Sequence, residues 1–78
     1  MSTTAQEIRN SLMAQDAEYQ KLAQEHFQYE SQLDQLQKQP YLSSEDLALE
    51  VTLKKMKLRV KDAMERKIAE HLRKLSGR

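Results

Sequence analysis

The sequence predicts an all-α protein: two long amphipathic helices folded antiparallel into a coiled-coil-like hairpin, which closes as a four-helix bundle when two copies form a homodimer. Three observations lead there. The 78 residues hold one glycine, Gly77, and one proline, Pro40, among abundant Gln, Glu, Lys, Leu and Ala, a composition that suits helices and starves a turn-rich β or α/β domain. Apolar residues recur at alternating three- and four-residue steps along both halves of the chain, the spacing of a single helix face. Pro40, the one strong helix breaker, stands between the two stripes.

The first helix is expected over about residues 4–38. Thr4 and Glu7 have the spacing of a capping box, in which the hydroxyl meets the Glu7 amide and the carboxylate reaches back to the Thr4 amide. From there Ile8, Leu12, Tyr19, Leu22, Tyr29, Leu33 and Leu36 form the stripe, with Gln15 and His26 at the remaining positions of the same seam. Pro40 disfavours helix at Gln39, and the positive Lys38 suits the last turn.

A turn is expected over residues 39–42 and the second helix over about 43–76. Ser43 and Asp46 occupy N-cap and N3, flanked by Leu42 and Leu47 as a hydrophobic staple. Leu49, Leu53, Met56, Val60 and Ala63 carry the stripe, which shifts by one residue to Met64 and runs through Ile68, Leu72 and Leu75 toward a stop at Gly77. So short a link folds the helices back on one another, and residues equidistant from the turn should meet: Leu36 with Leu47, Tyr29 with Leu53, Leu22 with Val60, Tyr19 with Met64, Gln15 with Ile68 and Ile8 with Leu75. At the helical rise such a hairpin is roughly 50 Å long.

Size and charge narrow the function. Below roughly 80 residues one core seldom supplies more than about 3–5 kcal/mol without a staple. The sequence has no cysteine, hence neither a disulfide nor a thiolate metal site, which leaves oligomerisation or a partner as the source of further stability. Two helices cannot enclose a core, and Val51 and Leu58 lie off the seam of the second helix as Met13, Ala23 and Phe27 lie off that of the first. Phe27, Val51 and Leu58 are therefore the expected oligomer or partner surface, and Gln15 and His26 the polar seam residues that set register. The net charge of +1 conceals an asymmetry: residues 1–42 carry three Lys/Arg against six Asp/Glu, and residues 43–78 carry ten against six. No stretch has the length of a membrane span or the pattern of an export signal, so a soluble, cytoplasmic protein is expected.

Glu25-His26, then Pro40-Tyr41-Leu42-Ser43-Ser44-Glu45, and above all Leu53-Lys54-Lys55-Met56-Lys57-Leu58-Arg59-Val60-Lys61-Asp62 resemble the YdcH-like family of small bacterial proteins, a domain of unknown function. The likeness runs from about Asp16 to His71, and the Leu-Lys-Lys-x-Lys-Leu-x-x-Lys-Asp run is its most specific piece. It implies a coiled-coil hairpin and brings no activity, cofactor or active site with it. Val60 stands where the family usually has another large aliphatic, and Ala63-Met64 where a charged or branched residue is common, differences of core detail.

Candidate chemistry is sparse. His26 in the seam invites reading as a proton switch or metal ligand, but one polar residue in a coiled-coil seam more simply sets register. Its only fellow, His71, belongs opposite Leu12, far along the rod, and Ala23 and Ile68 stand where a Glu-x-x-His di-metal motif needs Glu. Serines and threonines gather at caps rather than beside a base, and one glycine cannot build a phosphate loop. No catalysis, cofactor or metal is expected. The run Lys54, Lys55, Lys57, Arg59 and Lys61 is the basis of the alternative function, weak nucleic-acid binding. Its charges are spread around the helix by the interleaved Met56, Leu58 and Val60, acidic Glu25, Glu30 and Asp34 lie opposite, and no aromatic side chain flanks it to stack a base. A basic amphipathic second helix on a membrane surface ranks lower still, for want of a Trp or Phe anchor.

Overall fold

Local capping sets where each helix begins. In the computed structural model, which describes residues 4–75, Thr4 Oγ1 accepts from the Glu7 amide at 3.1 Å and Glu7 Oε1 accepts from the Thr4 amide at 2.8 Å. This reciprocal box satisfies two amides that α1, Ala5–Gln15, would otherwise leave bare, and the Thr4 amide first, then its hydroxyl, hold the Glu7 carboxyl below its ordinary range. The same device opens the helix after the turn: Ser43 Oγ accepts from the Asp46 amide at 3.1 Å and Asp46 Oδ2 from the Ser43 amide at 3.2 Å. That helix, α3, runs Ser44–Leu75 with Glu45 and Asp46 in its first turn and Arg73 and Lys74 in its last, each sign suited to its end of the dipole. The stop assigned to Gly77 lies outside the described residues.

Between them the chain departs from expectation. In place of one helix over residues 4–38 there are two, α1 and α2, Ala17–Gln37, broken at Asp16, whose φ of −111° and ψ of 108° are extended. Aspartate competes with helix by bonding nearby backbone, and here it does so twice over. Its own amide donates to the Leu12 carbonyl at 2.8 Å, closing α1, while Oδ1 accepts from the Tyr19 amide at 3.1 Å, capping α2. The Gln20 side-chain amide donates to the Met13 carbonyl at 2.6 Å, covering one of the carbonyls the break exposes.

The described residues form three α-helices and no strand, in a rod of 51 × 22 × 16 Å. Helix α3 packs along α2 and also meets α1. The apolar interior has two parts. Near the turn, Leu33, Leu36 and Leu53 are buried together, with Tyr29 and Leu42 packed against them. Toward the other end, Ile8, Leu12 and Tyr19 are buried against Met64 and Ile68. Val60 is buried between them along α3.

Several side chains lie away from their expected places. Ile8, 1% exposed, sits in the cluster of Ile68 and not with Leu75, which is 56% exposed. Gln15, assigned to the seam as a register residue, is exposed at the C-terminal end of α1, beside the extended Asp16. Near the turn, Leu42 rather than Leu47 packs against the cluster of Leu36.

Candidate interaction surface

The surface is built from the two edges where α2 and α3 diverge. On one side, Glu30, Asp34 and Gln37 of α2 face Lys54, Leu58 and Lys61 of α3 across a groove floored by Leu33 and Lys57. Lys57 Nζ bonds Glu30 Oε2 at 3.2 Å across it, joining the helices. Further along the outer side of α2, Phe27 and Ala23 border a shallow hollow with Met13 of α1. On the opposite side the groove is mixed in charge, Glu18, Lys21 and Glu25 facing Arg66, Lys67 and Glu70.

The three residues expected to form the association surface are all open to solvent: Phe27 is 69% exposed, Leu58 59% and Val51 52%. Leu58 borders the groove between α2 and α3, and Phe27 the hollow beside it. His26, the other seam residue, is half-buried, as is His71. Among the described residues, no three His, Cys, Asp or Glu side chains gather in a way that would hold a metal ion, and no helix is long and apolar enough to cross a membrane.

The basic run is partly engaged. Lys57 pairs with Glu30 as above, and Lys54 Nζ stands 4.0 Å from Glu50 Oε2 one turn back. Lys55, Arg59 and Lys61 are exposed. Spread around a helix and met by carboxylates, these charges form a solvated face more than a stripe.

The best-built polar cluster lies at the helix break, where sequence reasoning placed nothing. Lys67 Nζ donates to Asp16 Oδ2 at 2.9 Å and to Glu18 Oε1 at 2.7 Å. The bond from Lys67, then that from the Tyr19 amide, hold the Asp16 carboxyl below its ordinary value, and the bonds to Glu18 and then Asp16 raise Lys67 above its own. A depressed carboxylate stabilises the fold above its unfolded pKa and loses that contribution as pH falls through its folded one; a raised lysine stabilises below its unfolded pKa and loses it as pH rises through its folded one. The tie therefore acts between about pH 4 and about pH 10. Asp16→Asn, which keeps a capping oxygen and removes the charge, should flatten the acid limb of a stability-against-pH curve and weaken the alkaline limb, where Glu18 alone still holds Lys67. Parallel acid limbs in variant and parent would show that the Asp16 carboxylate adds no pH-dependent stability, from Lys67 or from the Tyr19 amide.

Three helices and no strand among the described residues, with several large apolar side chains exposed, define a small all-α protein. The chain belongs to the family described as Protein of unknown function (DUF465), whose model matches residues 20–68. That span takes in α2 almost from its start, the turn and most of α3, including the basic run. No curated protein and no solved structure matches the chain.

Proposed function

We propose that the protein is a structural or adaptor module that acts by helix–helix packing and carries out no catalysis. In this reading α1 and α2 make one arm and α3 the other arm of an antiparallel hairpin, and two hairpins join as a four-helix bundle in the cytoplasm. The observation that carries it is the exposure of Phe27, Val51 and Leu58 on a chain whose own buried interior is seven apolar side chains in the described residues. An interior that small leaves a chain of this length marginal. Apolar side chains on the open faces of packed helices are the usual signature of a surface that another helix covers.

Mass in solution tests this directly. Light scattering after size exclusion, followed across a hundredfold dilution with helicity measured in parallel, should give a helical dimer or larger assembly that falls apart, and loses helix, only at the dilute end. A helical monomer at every concentration would remove self-association and leave the surface to a different protein.

A further inference from the structure

We propose that α1 is an exchangeable strap: by turning at Asp16 it leaves the cluster of its own chain and docks on the same residues of a second copy. This contact between copies is separate from the face of Phe27, Val51 and Leu58. What the strap docks on is set by the closed chain. Ile8 and Leu12, one turn apart on α1, are buried with Tyr19 of α2, and Met64 and Ile68 of α3 pack against them. The strap reaches that place through the bend. Met13 and Phe27 border one hollow, although an unbroken helix would set them roughly 21 Å apart.

The bend is a hinge of one residue. The first turn of α1 is closed by the box of Thr4 and Glu7 and its last by the Asp16 amide on the Leu12 carbonyl, while α2 restarts at once with the Gln20 amide on the Asp16 carbonyl at 3.0 Å. Turning Asp16 from extended to helical would join residues 5–37 in one helix. The Ala17, Glu18 and Tyr19 amides would then bond the Met13, Ala14 and Gln15 carbonyls in the ordinary helical pattern. In return the bond from the Tyr19 amide to Asp16 Oδ1 and that from the Gln20 side chain to the Met13 carbonyl would be given up. Hydrogen bonding therefore changes little between the bent and straight forms, and two forms of similar energy are what an exchange between copies requires. Lys67 holds the bent form through Asp16, whereas its other bond, to Glu18, lies on the α2 side of the hinge.

A second copy is the occupant these observations favour. The place the strap vacates is lined by Tyr19, Met64 and Ile68 and is filled in the closed chain by Ile8 and Leu12. A second copy offers the same two side chains on an identical helix. The exchanged contacts are those the closed chain already makes, each formed twice under two-fold symmetry, so no new fit between surfaces is called for. On its own chain a straight α1 would instead run past Met64 and Ile68 toward the end of α3, where Leu75 is 56% exposed and a burial as complete as that of Ile8 is out of reach.

The test uses the full chain carrying Leu58→Glu, so that the other face does not add to the mass. Adding Asp16→Ala removes the cap and the Lys67 bond that hold the bend, and places the best helix former at the hinge. Light scattering after size exclusion should then show a dimer whose dissociation constant is at least about tenfold below that of Leu58→Glu alone, with helicity by circular dichroism no lower. A third change, Ile8→Ala, should undo the gain, because it weakens the strap in either chain. Lys67→Met in place of Asp16→Ala keeps the cap, should shift the mass in the same direction by less, and supplies the reading if Asp16→Ala lowers helicity. A mass unchanged by both hinge variants would overturn the exchange, and so would a dimer that persists undiminished with Ile8→Ala. Both results are read relative to Leu58→Glu alone, whose own mass reports separately on the face of Phe27, Val51 and Leu58.

Discussion

Replacing Leu53 by alanine should cost about 2–5 kcal/mol, the range for emptying a leucine site in a packed interior. Leu53 is the one residue of α3 in the cluster it forms with Leu33 and Leu36, and it is 4% exposed. With roughly 3–5 kcal/mol available from a core of this size, that loss consumes most of the margin. Far-ultraviolet circular dichroism of the variant should show largely unfolded chain at concentrations where the parent is helical, and its urea midpoint should fall to near zero or be lost. Leu49→Ala is the comparison, on the same helix one turn earlier and nearly half exposed, for which a shift of about 0.5 kcal/mol is expected. Equal losses for the two would mean that the surface bearing Leu49 is covered as fully as that of Leu53.

The contrast between Leu53 and Leu49 also marks how far the sequence could be read. Both are leucines at stripe spacing, and periodicity alone does not separate them. It identifies a face, whereas burial depends on where the opposing helix lies and how it tilts. Features written in a few adjacent residues were legible: the boxes at Thr4 and Ser43, the stop before Pro40, and the apolar positions left off the seam at Phe27, Val51 and Leu58. The break at Asp16 was not, because the stripe of Ile8, Leu12, Tyr19 and Leu22 continues across it, and a helix that keeps its phase looks unbroken. A signal was nonetheless present. Aspartate ranks among the strongest N-cap residues and among the poor ones for helix interiors, and Glu18 follows it in what becomes the first turn of α2. What the pattern of one helix could not supply is Lys67, 51 residues away, whose ammonium ties Asp16 in place. Once the break is granted, the exposure of Gln15 and the shift of Ile8 toward Ile68 follow, since both assignments assumed an uninterrupted helix. The register role of His26 rests on the same assumption but lies within α2, beyond the break, where phase is kept.

Leu58→Glu should separate association from folding, the two processes that a small helical chain most easily confounds. Leu58 is 59% exposed and belongs to neither buried cluster, so the interior of the single chain loses nothing by its replacement. Glutamate is as good a helix former as leucine, which leaves local propensity unchanged. Across a two-fold interface the same side chain is buried twice, and each loss of a covered leucine is worth about 1.5–3 kcal/mol before the cost of confining a carboxylate is added. The dissociation constant should therefore rise by at least about a hundredfold. Light scattering would read a smaller mass at concentrations where the parent is assembled, and the melting temperature of the variant would lose its dependence on concentration. Leu53→Ala, by comparison, should lower mass and helicity together, because it acts on the interior. If the mass of Leu58→Glu equals that of the parent, the face carrying Leu58 and Val51 is not where copies meet, and the apolar positions of the hollow between α1 and α2, Met13 and Phe27, become the surface to vary.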